Sequence, residues 1–200
     1  MLALLTALSA GCASQPPRQA GSTDAVSSEA SGYAIREEAN LDSRLQADFD
    51  RAVEHLRAGE HTQGIALLTA ITAHPKGQHN TAPYINLAIA YQRIDQLEQA
   101  EKALQQALEI NPDHPAANNE YGMVLRRSGR FDAARATYER VLDKYPDYLP
   151  ARKNLGILCD LFLGDLDCAL EHYRIYSEAV PEDAVVTLWI ADLQNRRGMQ

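Results

Sequence analysis

The chain lacks the short patterns that usually accompany catalysis or nucleic-acid binding. Its 200 residues carry a formal net charge of −8 and contain no cluster of Lys and Arg, so they offer no electrostatic footprint for nucleic acid. No Gly-rich phosphate loop or nucleophile elbow organises the Ser, His and Asp residues. Of the six histidines, His55 and His61 occupy repeat positions that suit core or turn residues, and His74 and His79 flank a loop with no cysteine or carboxylate at ligand spacing. The sequence therefore predicts no catalytic residue, metal, cofactor or small-molecule substrate.

A long hydrophobic run is also absent. The most apolar stretch, residues 1–10, reads MLALLTALSA and is too short for a membrane-spanning helix, which needs about 20 apolar residues. Its length and its small-residue end are typical of the apolar part of a secretory signal. No Lys or Arg precedes Arg18, so the positive region that usually begins such a signal is missing.

Cys12 directly follows this run and is preceded by small residues. The pattern resembles the lipobox of bacterial lipoproteins, although the large aliphatic residue lies one place early, at Leu8. The resemblance implies that residues 1–11 are a signal peptide and that Cys12 becomes the acylated, palmitate-bearing N-terminus. Because Ala13 rather than Asp follows, it also implies an outer-membrane lipoprotein facing the periplasm. An ordinary secretory signal with an unmodified Cys12 is the alternative.

The segment after Cys12 is rich in Ser, Ala, Gly and Pro and has few large apolar side chains. Such a composition does not bury enough surface to offset the entropy of ordering. Residues 12–40 are therefore predicted to be a flexible tether with an average reach of roughly 25–30 Å. Residues 41–200 have the length of one domain.

Within that domain a block recurs at a spacing close to 34 residues. Small residues recur in the first half of each block at Ala52, Ala88, Gly122 and Gly156. They recur in the second half at Gly64, Ala100, Ala134 and Ala169. Turn signals separate the halves at Gly59, Asp95, Gly129 and Gly164, and prolines close the blocks at Pro75, Pro112, Pro146 and Pro181. Each block is predicted to be a pair of closely packed helices that must stack on its neighbours to bury its apolar face.

These blocks resemble the tetratricopeptide repeat over residues 44 to 181. The middle two match best, at Leu87, Ala88, Tyr91, Ala100, Ala107, Pro112, Gly122, Gly129, Phe131, Ala134, Tyr138 and Pro146. The resemblance implies an all-α superhelix of about four helical hairpins, with repeats near 45–78, 81–114, 115–148 and 149–183. Residues 184–198 would form a capping helix, with Leu188, Trp189 and Leu193 against the last repeat and with Asp192, Gln194 and Arg196 facing water.

The fourth repeat carries one additional residue, in the stretch CDLFLG before its turn. Cys159 precedes Gly164 by five residues and Cys168 follows it by four, so the two cysteines would face each other near the turn of an antiparallel hairpin. Because an exported protein meets an oxidising compartment, a Cys159–Cys168 disulfide is one expectation. The alternative is that Cys159 is a small apolar core residue and that Cys168 points partly outward.

In the resembled family, the first helix of each repeat lines a concave groove that binds protein or peptide segments. The corresponding positions here are Asn86, Ile89, Gln92, Arg93, Asn119, Met123, Arg126, Arg127, Lys153, Asn154 and Ile157. From these, Asn86, Arg93, Asn119, Met123, Arg126, Lys153 and Asn154 are the predicted partner-binding residues. A solvated polar face is the alternative, and the Asn residues at position six of the repeat also suit a structural role.

Together these resemblances imply an adaptor on the outer membrane that binds a protein partner and supports assembly or localisation of an envelope complex. Pilus, export and TonB/ExbB-type systems are the candidate complexes. An accessory enzyme of cell-wall or glycan processing and a self-assembling structural repeat protein are the alternatives.

Overall fold

The computed structural model describes residues 41–199, and all the regular structure in that range is helical. In chain order the helices are α1 (Ser43–Arg57), α2 (His61–Ala73), α3 (Thr81–Arg93), α4 (Leu97–Ile110), α5 (Pro115–Arg127), α6 (Phe131–Lys144), α7 (Leu149–Leu158), α8 (Leu166–Ala179) and α9 (Ala184–Gly198). A π-helical segment, Cys159–Leu163, continues α7. The predicted signal peptide, tether and lipidated Cys12 lie outside the described residues.

Consecutive helices pair as hairpins, α1 with α2, α3 with α4, α5 with α6 and α7 with α8, and each hairpin packs against the next. The first helices also contact one another, because α3 touches α1 and α5, and α5 touches α7. Two apolar clusters fill the array, one running from α1 to α5 and a second from α5 to α9, and Tyr121 packs against both. The predicted all-α superhelix of stacked hairpins is confirmed.

In the third and fourth repeats, close packing within the hairpin depends on a glycine in the first helix opposite a tyrosine in the second. A Cβ added to Gly122 would lie 2.5 Å from Cε1 of Tyr138, and one added to Gly156 would lie 2.5 Å from Cδ1 of Tyr173. Both tyrosine side chains are fully buried. Because each ring occupies the space that a methyl group would need, the glycines set the distance between the two helices.

The turn between the two helices of each repeat has a left-handed residue. The φ angles are +79° at Gly59, +61° at Asp95, +75° at Gly129 and +67° at Gly164. Glycine adopts this conformation without strain, and Asp tolerates it better than most residues. The four turn signals in the sequence therefore mark equivalent backbone positions.

The extra residue of the fourth repeat is accommodated by the π-helical segment that ends α7. The N–H of Asp165 donates to the carbonyl of Cys159 at 2.9 Å and closes the turn. A disulfide joins Cys159 to Cys168, with the Cα atoms 5.9 Å apart. Cys159 is buried and Cys168 is half-buried, so the bond fastens the two helices beside their connecting turn.

Helix α9 covers the end of the array, but not with all the residues expected from the sequence. Val186 and Leu193 are buried, and the ring of Trp189 lies 5.3 Å from that of Tyr173. Leu188 was expected to cover the last repeat and is instead 69% exposed. The buried residues follow a spacing of three and four along α9, and Leu188 lies off that stripe.

Arg196 was expected to face water but is half-buried. Its Nη1 donates to Oδ1 of Asp160 at 2.7 Å and links α9 to the π-helical segment. No helix within residues 41–199 has both the length and the apolar character needed to cross a membrane.

Candidate partner-binding groove

The candidate groove is the face formed by the adjacent first helices α3, α5 and α7. Polar side chains cross this face from one helix to the next. Gln92 Nε2 donates to Glu120 Oε2 at 2.9 Å between α3 and α5, and Asn154 Nδ2 donates to Asn119 Oδ1 at 2.9 Å between α5 and α7. These bonds hold the three helices in register, because each one satisfies groups on two different repeats.

Two of the predicted groove residues are buried and make hydrogen bonds within the helix array. Asn86 is 0% exposed, and its Nδ2 donates to the carbonyl of Ala82 at 2.9 Å within α3. Asn119 is 4% exposed and bonds to Asn154. Both side chains are buried, and their contact with a partner stays a prediction. Asn154 is half-buried and uses its amide N–H on Asn119.

Lys153 lies in the groove but already has a counter-ion. Its Nζ is 2.6 Å from Oδ2 of Asp183 and lies over the rings of Tyr176 and Trp189, 5.0 and 5.7 Å from their centroids. Burial disfavours the charge, yet the hydrogen bond to Asp183 holds the pKa of Lys153 above its ordinary value. Lys153 therefore fastens α7 to the cap.

The three arginines of the groove differ in their pairing. Arg127 donates to Oδ1 of Asp95 and to the carbonyl of Gln92, both at 2.8 Å. Arg93 is exposed at the end of α3. Arg126 is half-buried with its guanidinium 5.7 Å from the centroid of the Phe162 ring, and within residues 41–199 it has no carboxylate partner. It is therefore the groove cation best able to accept an acidic group.

A pocket of about 400 Å³ opens between α3 and α5. Its lining residues are Ile89, Gln92, Arg93, Glu120, Met123 and Arg127. Glu120 accepts hydrogen bonds from two side-chain amides, those of Gln92 at 2.9 Å and Asn119 at 3.4 Å. Burial raises the pKa of the Glu120 carboxyl above its ordinary value.

Sequence reasoning missed Glu120, although a signal for it was present. Glu120 lies 34 residues after Asn86 and 34 before Asn154, so it occupies the same repeat position as two of the predicted partner-binding residues. A carboxylate where neighbouring repeats have an amide indicates a position with a different role.

One group of side chains in the described range has the composition of a metal site. The ligand atoms of Cys159, Asp165 and Cys168 lie within 4.8 Å of one another. The two sulfurs are bonded to each other, and Asp165 accepts from the N–H of Cys168 at 3.1 Å and pairs with Arg135 at 3.3 Å. In this state the group closes the hairpin of the fourth repeat.

Residues 85–148 match the family model described as the tetratricopeptide repeat. Among solved structures, MamA from Desulfovibrio magneticus RS-1 superposes with a TM-score of 0.65 at 20% identity, covering 79% of this chain and 88% of that one. A double mutant of RS-1 MamA gives a TM-score of 0.66 at 19% identity, covering 79% and 87%. At these identities the likeness describes the fold.

Two curated proteins are also similar. Superkiller complex protein 3 from Mus musculus is 32% identical over 132 residues, which is 66% of this chain, and the Homo sapiens protein is 28% identical over 123 residues, which is 61%. The matched region is 8% of the length of each of these relatives.

Proposed function

Because this chain carries tetratricopeptide repeats, we propose that it is an adaptor that binds a protein partner in the groove of α3, α5 and α7. Repeats of this kind typically serve as scaffolds for protein–protein interaction and build extended concave binding surfaces. The proposal for this groove rests on Arg126, because its half-buried charge has no carboxylate partner within residues 41–199. A partner that supplies an acidic group there would complete the pairing.

The test is crosslinking in cells followed by purification and mass spectrometry. Arg126→Glu reverses the groove charge, and Arg174→Glu makes the same change at an exposed position of α8, a second helix. A partner recovered with the wild type and with Arg174→Glu, but lost with Arg126→Glu, would support the proposal. A partner retained by Arg126→Glu would show that the interface lies outside the groove. The absence of any partner would favour self-association of the chain instead.

We further propose that acylated Cys12 anchors the protein to the outer membrane and that the repeats lie in the periplasm, where they support an envelope complex. The support is the lipobox-like sequence before Cys12 and the Ala13 that follows it. Several acyl chains together give a stable anchor, because each buried CH₂ contributes ~0.8 kcal/mol.

The anchor can be tested separately from the groove. Cells fed a labelled fatty acid should label the wild type and leave Cys12→Ser unlabelled. Membrane fractionation should recover the wild type with the outer membrane and release the variant. Equal labelling of both proteins would contradict the anchor without affecting the groove proposal.

A further inference from the structure

We propose that the pocket around Glu120 binds a lysine or arginine side chain of the partner. This inference rests on the proposed function, since it specifies what the groove recognises. It concerns the α3–α5 end of the groove, whereas Arg126 acts at the α5–α7 end.

The pocket has the two surfaces that a long basic side chain needs. Ile89 and Met123 are apolar lining residues from adjacent helices, and Glu120 adds a carboxylate to the same lining. Lys and Arg carry an apolar stem and a charged head, so the stem would lie against Ile89 and Met123 while the head reaches Glu120. An apolar side chain alone would leave the carboxylate without a counter-ion.

The hydrogen-bonding capacity of the pocket is not used up by the described chain. Glu120 accepts from two neutral amides, whereas an ionised carboxylate offers about four acceptor sites. Gln92 is only 7% exposed, and its Oε1 has no hydrogen-bond donor within residues 41–199. A buried acceptor in that state costs stability. The pocket therefore has hydrogen-bond acceptors that lack donors. An ammonium or a guanidinium group would supply them, because each carries donors only.

The cations at the rim do not offset the effect of burial on the pKa of Glu120. Arg127 is held by Asp95 at 2.8 Å. Arg93 is exposed, and its charge is the smallest of the influences on the pKa of Glu120, behind burial and the two amide hydrogen bonds. An acidic ligand at this rim would meet the Glu120 carboxylate, so a basic ligand fits the charges better. The opposite preference is one outcome of the test.

The experiment uses the full chain and four mixtures of labelled heptapeptides, acetylated and amidated at their ends. The central residue is Lys, Arg, Met or Glu, and the other positions are randomised over uncharged residues. Fluorescence anisotropy measures binding at low ionic strength. Glu120→Gln removes the charge and keeps the shape, while Glu98→Gln makes the same change on the exposed surface of α4. The Glu98 control matters because a chain of net charge −8 attracts any basic peptide.

The Lys and Arg mixtures should bind the wild type about tenfold more tightly than the Met mixture, a difference typical of one favourable ion pair. Glu98→Gln should keep this preference and Glu120→Gln should lose it. Equal binding of all four mixtures, or a preference for Glu, would overturn the inference and leave the groove proposal standing. If no mixture binds, both the inference about Glu120 and the groove proposal fail.

A second measurement needs no variant. The carboxyl carbon of Glu120 can be followed by carbon-13 NMR in the wild type as pH is varied, with and without a saturating Lys mixture. Bound lysine should lower the pKa of Glu120, whereas the Met mixture should leave it unchanged or raise it. No shift with lysine would overturn the inference even if Glu120→Gln failed to fold.

Discussion

Position six of three successive repeats holds Asn86, Glu120 and Asn154, and the three side chains have different environments. Asn86 bonds within its own helix, and Asn154 bonds to the neighbouring repeat. Glu120 faces a pocket and accepts from Gln92. The same repeat position can therefore serve packing or recognition, depending on what the adjacent repeat supplies.

Glu120 and Glu101 should respond to pH in opposite directions. Burial raises the pKa of Glu120 above 4.5, so the folded state keeps a proton that the unfolded chain releases. That contribution to stability is present below pH 4.5 and is lost as pH rises through the folded-state pKa. Relative to the wild type, Glu120→Gln should therefore become more stable as pH rises from 4.5 to 8.

Glu101 provides the matched contrast. The Arg130 side chain donates to its carboxylate at 2.6 Å and lowers the pKa of Glu101 below 4.5. Its contribution to stability is present above pH 4.5 and is lost as pH falls through the folded-state pKa. Glu101→Gln should thus destabilise at pH 7 and approach the wild type in acid. Thermal unfolding of both variants across pH measures these differences. If the stabilities of the two variants relative to the wild type changed with pH in the same direction, the opposite pKa shifts of Glu120 and Glu101 would be contradicted.

At the scale of the helices, the glycine–tyrosine contact sets how closely the two helices of a repeat approach. Gly122 faces Tyr138 in the third repeat and Gly156 faces Tyr173 in the fourth. The second repeat has Ala88 in place of glycine, so the contact is a property of particular pairs.

Gly122→Ala and Gly156→Ala should each destabilise the fold by about 1–3 kcal/mol, because the new methyl group overlaps a buried ring. Gly198→Ala, where an added Cβ meets nothing within 4 Å, should leave stability unchanged or raise it by at most about 1 kcal/mol. Urea unfolding measures all three variants. Equal changes in the free energy of unfolding for Gly122→Ala and Gly198→Ala would show that the two helices of the third repeat can move apart without loss of stability.

The Cys159–Cys168 disulfide also acts between two helices, because it closes the hairpin of the fourth repeat beside the π-helical segment. Alkylation without reduction should leave Cys159 and Cys168 unlabelled, and reduction should add two labels by mass. The Cys159→Ala, Cys168→Ala double variant should lose about 2–3 kcal/mol of stability. Equal masses with and without reduction would show free thiols in the protein as isolated.

At the scale of the whole molecule, stability is shared between neighbouring repeats, since each hairpin packs mainly on the next. The central hairpins have neighbours on both sides. Helix α9 has one packed face, with Val186 and Leu193 buried and Val185 and Leu188 exposed.

Native-state hydrogen exchange should therefore be slowest in α3 to α6 and fastest in α9. Local opening of α9 exposes a small apolar area, whereas opening of a central hairpin breaks two interfaces. Exchange measured helix by helix by NMR checks this order. Uniform protection along the array would instead indicate a single cooperative unit.

The sequence alone determined the repeat architecture, because small residues, turn residues and prolines recur at one spacing and each acts locally. It also located the extra residue of the fourth repeat. It did not determine which groove side chains are available, since that depends on partners from other repeats. Lys153 is paired by Asp183, 30 residues later, and Arg127 by Asp95, 32 residues earlier. Asn119 is buried by packing between helices, and Glu120 lies at a pocket formed with Ile89 and Gln92 of the preceding repeat. Only the tertiary structure decided these roles, because burial and pairing arise where separate repeats meet.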